Sequence, residues 1–159
     1  MLLLENPLSG YLAAALFILA SLTDWADGYY ARLFNAQSTM GKFMDPIADK
    51  ILVSTILILL IPEGNVGPVL VILLLVRDIL IGGIRSVAAA DRLIIDAKAT
   101  GKWKTAFQMV GIPCVLIETP IFGIPLVEIG RVTLWISVIL SLVSGWQYIQ
   151  LYRESRHRS

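Results

Sequence analysis

The chain holds a single cysteine and a single histidine in 159 residues. Cys114 lies in an apolar run and His157 in the polar tail. A disulfide framework and a thiol metal site are therefore excluded, and catalysis through His or Cys has almost no raw material. Charge is scarce as well, at 16% of residues, where soluble chains carry about 25%. A water-soluble globule of this size would lack the charges to cover its surface. Thirteen Lys and Arg against twelve Asp and Glu leave a net charge of +1, which removes the strongly basic case for nucleic acid. Apolar residues are abundant: 57% of the chain is hydrophobic and the mean hydropathy is +0.76, values that exclude disorder. The composition predicts an all-α integral membrane protein, a polytopic helix bundle forming one domain over residues 1–159. Residues 153–159 form a polar cytoplasmic tail in this reading.

A helix needs about 20 residues to cross the hydrocarbon core. Asn6–Thr23 and Val132–Tyr152 are free of charge over that length. Three other apolar runs reach it only if a flanking charged turn belongs to the same helix. The expected helices are 7–34, 43–62, 66–90, 101–119 and 129–152. Pro62, Gly64, Gly67 and Pro68 separate the second from the third, and Pro120, Gly123 and Pro125 separate the fourth from the fifth. Pro113 is expected to kink the fourth. Basic residues mark the cytoplasmic side: Arg32 and Lys42 follow the first helix, Arg92, Lys98 and Lys102 precede the fourth, and Arg153, Arg156 and Arg158 close the chain. Five spans then put the N-terminus outside.

Ionisable groups inside membrane helices are expensive and usually functional. Asp24 and Asp27 lie three apart at the cytoplasmic end of the first helix, and Asp45 and Asp49 lie four apart at the start of the second. Each spacing puts a pair on one helix face. The turn near 35–41 is short, so the two helices are expected to be antiparallel neighbours and the four carboxylates to converge. Four such charges cannot all stay ionised without cations. Ligation by oxygen alone favours Mg²⁺ or Mn²⁺, and two such ions suit phosphoryl transfer. The plainer alternative is that these Asp residues are solvated helix ends or caps. Gly28 and Ala31 leave room for a ligand beside the acids, or serve helix packing.

The segment Asp24-Trp-Ala-Asp27-Gly28-Tyr-Tyr-Ala31-Arg32, followed by Gly41, Asp45 and Asp49 at fixed spacing, resembles the signature of the CDP-alcohol phosphatidyltransferases, with every position filled. That resemblance implies an all-helical membrane fold, usually of six helices, assembled as a homodimer. It also implies transfer of a phosphatidyl group from CDP-diacylglycerol to an alcohol, with release of CMP. By position, Asp24, Asp27 and Asp45 would hold the metals, and Asp49 would help hold the second metal and act as general base. Gly28, Ala31 and Gly41 would line the CDP pocket, with Arg32 beside it. Against the family's usual pattern, the expected five spans are one helix short at the N-terminal end: either the chain is truncated, and donor contacts from that helix would be lost, or its N-terminus diverges.

The signature fixes the donor and leaves the acceptor open. Arg77, Asp78 and Arg85 interrupt an apolar segment, and Lys102 and Lys104 open the fourth helix on the same side. Asp78 and Arg85, seven apart, share a face and could form a buried pair, which would leave Arg77 to find its own partner. The lysines could simply snorkel. Taken together, Arg77, Arg85, Lys102 and Lys104 form a basic patch suited to an anionic acceptor, and glycerol 3-phosphate fits. The runs around Asp45-Pro46, Ala48-Asp49-Lys50, Arg77-Asp78 and Gly101-Lys102 resemble the glycerol-3-phosphate-using bacterial branch of the family. The expected location is accordingly the bacterial inner membrane, with the active site facing the cytoplasm. Cardiolipin synthases are the closest competitor. A membrane prenyltransferase and a cation carrier are more distant readings.

Overall fold

The structure is a computed structural model that describes residues 7–33, 50–90, 99–121 and 123–158. It is a helical bundle: α1 (Pro7–Leu33), α2 (described over Lys50–Leu59), α3 (Pro68–Ala90), α4 (Ala99–Leu116) and α5 (Leu126–Arg158). Among the described residues the sole β feature is an isolated bridge between Ile121 and Ile124 in the α4–α5 turn. The expected boundaries hold to within a few residues at most of the described ends, and the expected start of the second helix at 43 lies outside the described residues. The exception is α5, which begins at Leu126 and runs on through the polar tail to Arg158. Apolarity ends near Tyr152, but the Arg-rich sequence beyond it keeps good helix propensity.

The breaks between helices have a backbone cause. Gly64 and Gly123 take φ of 72° and 77°, the left-handed region that other residues enter at a cost. They turn the chain from α2 into α3 and from α4 into α5. Pro113 sits inside α4, where its missing N–H leaves one helical hydrogen bond unmade.

α5 packs most extensively on α4 and also on α3, and α1 packs on α4. Glycines set the closest approaches. A Cβ on Gly130 would come within 2.5 Å of Val115 Cγ2 and 2.9 Å of the Gly111 carbonyl oxygen. A Cβ on Gly10 would meet the Leu116 carbonyl oxygen at 2.5 Å. Helix association among lipids lacks a hydrophobic driving force and depends on such close packing. The core joins Ala14 and Phe17 of α1, Leu57 of α2, Leu70, Val71 and Leu74 of α3, Ile112 and Val115 of α4, and Leu134 and Val138 of α5.

The outward faces are apolar too. Leu8, Leu16, Leu19, Ile79, Val132 and Trp146 are each at least 60% exposed, while Lys104, Gln108, Ser137, Ser141 and Ser144 are buried. Among the described residues one helix, Leu126–Glu154, is long and apolar enough on its own to cross a bilayer.

Candidate functional site

The inward stripe of α1 carries two of the four candidate carboxylates, Asp24 and Asp27. Gly10, Ala14, Phe17, Ser21 and Asp24 recur at steps of three and four, so they lie on one helix face. Gly28 and Ala31 continue the same steps. Burial fades along this stripe: Gly10, Ala14 and Phe17 are buried, Ser21 is half-buried and Asp24 is exposed. Asp27, one turn further on, is exposed as well. Thus the stripe that anchors α1 in the bundle ends in two open carboxylates. Among the described residues neither takes a hydrogen bond or an ion pair. Their lone pairs remain available, and a hard divalent cation fits such oxygen donors. For Gly28, Ala31 and Arg32 the helical backbone is described. Gly41, Asp45 and Asp49 lie outside the described residues, so the expected convergence of four carboxylates falls there. Among the described residues no group of three or more metal-ligating side chains occurs.

A second polar centre lies between α3, α4 and α5. Lys104 donates to both oxygens of Asp78 at 2.5 Å, and Arg77 Nη1 donates to Asp78 Oδ1 at 3.0 Å. The rest of the Arg77 guanidinium is held by α5: Nε donates to the Ser141 carbonyl oxygen at 2.8 Å and Nη2 to Ser144 Oγ at 2.5 Å. Ser137 Oγ donates to the Lys104 carbonyl oxygen. Lys104 is only 6% exposed, and burying its ammonium is tolerable because Asp78 lies against it. The shared face of Asp78 and Arg85 does not produce a pair between them. Asp78 faces Lys104 across the helix interface, and Arg85 lies over the Tyr148 ring at 5.2 Å from its centroid.

Five cations therefore fall into two groups. Arg77 and Lys104 share one carboxylate. Arg85, Lys102 and Lys50 are exposed, and among the described residues none of the three is in an ion pair. The three serines of α5 border this cluster, Ser141 and Ser144 against Arg77 and Ser137 against the Lys104 carbonyl, and sequence reasoning missed them. Their signal was present: Ser137, Ser141 and Ser144 recur at steps of four and three along one face of an apolar helix.

At the opposite end a polar latch joins the turns. Asn65 Nδ2 donates to Glu118 Oε1 at 2.6 Å, and Arg131 donates to the carbonyl oxygens of Asn65 and Gly64 at 2.8 and 2.6 Å. Tyr11 and Thr119 hydroxyls meet at 2.7 Å.

Residues 1–143 match the family model described as CDP-alcohol phosphatidyltransferase. The chain is 38% identical over 142 residues to the CDP-diacylglycerol–glycerol-3-phosphate 3-phosphatidyltransferase of Bacillus subtilis, covering 89% of this chain and 74% of that protein. Proteins of the same name from Rickettsia felis and Rickettsia typhi are 35% and 36% identical over 148 residues, covering 92% of this chain and 82% and 83% of theirs.

Proposed function

Because this chain belongs to the CDP-alcohol phosphatidyltransferase family, we propose that it transfers the phosphatidyl group of CDP-diacylglycerol to glycerol 3-phosphate, yielding phosphatidylglycerophosphate and CMP. Relatives carrying that activity in their names match about nine-tenths of the chain. The observation that carries the reading is that Asp24 and Asp27, at the end of the inward stripe of α1, are exposed and have no partner among the described residues, within a signature whose every position is filled.

Asp24, Asp27, Asp45 and Asp49 would hold two divalent cations, Mg²⁺ or Mn²⁺, which when bound neutralise the pyrophosphate and the departing CMP. Gly28, Ala31 and Gly41 line the cytidine pocket, and Arg32 stands beside it. Asp49 takes the proton of the attacking hydroxyl. The acceptor oxygen forms its bond to the lipid-side phosphorus as the bond to the CMP oxygen breaks, so direct transfer needs no covalent enzyme intermediate. Arg77, Arg85, Lys102 and Lys104 bind the acceptor phosphate. Arg77 and Lys104 bring two positive charges, and Asp78 removes one, so this trio offers a net +1. The exposed Arg85 and Lys102 supply the remaining attraction for a dianion.

The apolar outward faces suit a multi-pass bundle in a bilayer, with both polar centres toward the cytoplasm of a bacterial inner membrane and two copies forming a homodimer. The test is an acceptor screen that follows CMP release from CDP-diacylglycerol with glycerol 3-phosphate, phosphatidylglycerol, serine or inositol phosphate. Turnover with glycerol 3-phosphate is expected. Turnover with phosphatidylglycerol alone would move the protein to cardiolipin synthesis.

A further inference from the structure

We propose that Lys50 is a further acceptor-phosphate residue, and that Gly82 is the seat that admits it. Lys50 opens the described part of α2 and follows Asp49 directly in the chain. Its side chain reaches across to α3, where a Cβ built on Gly82 would lie 2.9 Å from Lys50 Nζ. The amino group thus occupies the space that a larger residue at position 82 would fill.

The position of Gly82 gives this contact its meaning. Asp78, Gly82 and Arg85 lie at steps of four and three, on one face of α3. Asp78 carries Lys104 and Arg77, and Arg85 is exposed beside Tyr148. Lys50 therefore places its charge on the stretch of α3 between the ion cluster and Arg85. Among the described residues it has no carboxylate partner. A phosphate dianion bound along this face would meet the amino group of Lys50 together with the guanidinium of Arg85. The same lysine is tethered by one peptide bond to the residue assigned as base, so it ties acceptor binding on α3 to the start of α2. The nucleotide candidates belong to α1 and to the segment after it, so the placement on α3 favours the acceptor over the donor.

This inference rests on glycerol 3-phosphate being the acceptor, and the experiment separates the two. Steady-state CMP release is measured for the wild-type protein, Lys50→Gln, Lys50→Arg, Gly82→Ala and Gly82→Leu, varying glycerol 3-phosphate and CDP-diacylglycerol in turn. Loss of one charge-assisted contact is expected to raise the KM for glycerol 3-phosphate about tenfold in Lys50→Gln. The KM for CDP-diacylglycerol should stay within about twofold, and Lys50→Arg should recover most of the loss. Gly82→Leu should follow Lys50→Gln, and Gly82→Ala should fall between, because the flexible end of Lys50 yields to one methyl group. An unchanged acceptor KM in Lys50→Gln overturns the assignment while leaving the activity intact, and so does a rise confined to CDP-diacylglycerol. A wild-type protein that releases no CMP with glycerol 3-phosphate overturns the functional reading and this inference with it.

Discussion

The two polar centres handle charge in opposite ways. In the seam between α3, α4 and α5, Asp78 satisfies Lys104 and Arg77 at once, and the backbone and hydroxyls of α5 complete the guanidinium. At the end of α1, Asp24 and Asp27 stand exposed and without a partner among the described residues. A paired charge in an apolar bundle holds helices in register. An unpaired pair of like charges costs energy unless something binds there. The contrast separates charges that the fold has already paired, whose net +1 still attracts an anion, from charges with no partner among the described residues.

Breaking the seam should have the largest effect on stability. Asp78→Ala removes the carboxylate that lies against the buried Lys104 ammonium, and removing one partner of a buried pair costs roughly 3–5 kcal/mol. Thermal unfolding in detergent should show a clear fall in midpoint. An unchanged midpoint would mean that Lys104 finds water or lipid phosphate without Asp78. Arg85→Gln sharpens the comparison from the other side, since Arg85 has an aromatic neighbour and no ion pair among the described residues. Its KM for glycerol 3-phosphate should rise about tenfold, as expected for one charged contact. The loss of its contact with Tyr148 should lower stability by about 0.5–1 kcal/mol. The smallest effect belongs to the latch at the far end. Arg131 lies 3.8 Å from Glu128 in an exposed pair, so Glu128→Gln, which leaves the Arg131 bonds to Gly64 and Asn65 in place, should cost about 1 kcal/mol or less and leave both KM values unchanged. A shift in acceptor KM would mean that the far end of the bundle communicates with the site.

Much of this was legible in the sequence, and the rest was not for physical reasons. Hydropathy located the helices, and Gly64 and Gly123 marked the turns, because these are properties of local segments. The end of α5 was misplaced because a helix need not stop where apolarity does. The paired spacing of Asp24 and Asp27 was readable because two residues three apart share a face wherever the helix goes. The partner of Asp78 was not. Position on one helix suggested Arg85, but Lys104 lies 26 residues away in sequence and reaches Asp78 only through the packing of α4 on its neighbours. Lys50 was visible only as part of a motif, because its place beside Gly82 depends on the packing of another helix.

The central claim is that the exposed acids at the end of α1 hold metal for the reaction and contribute little to the fold. It is tested most directly by measuring CMP release from CDP-diacylglycerol and glycerol 3-phosphate, with divalent metal present, for Asp27→Asn alongside its thermal unfolding. Removing a metal ligand should lower turnover by at least about a hundredfold, with the unfolding midpoint unchanged. Near-normal CMP release, or a loss of activity that merely follows unfolding, would contradict the account.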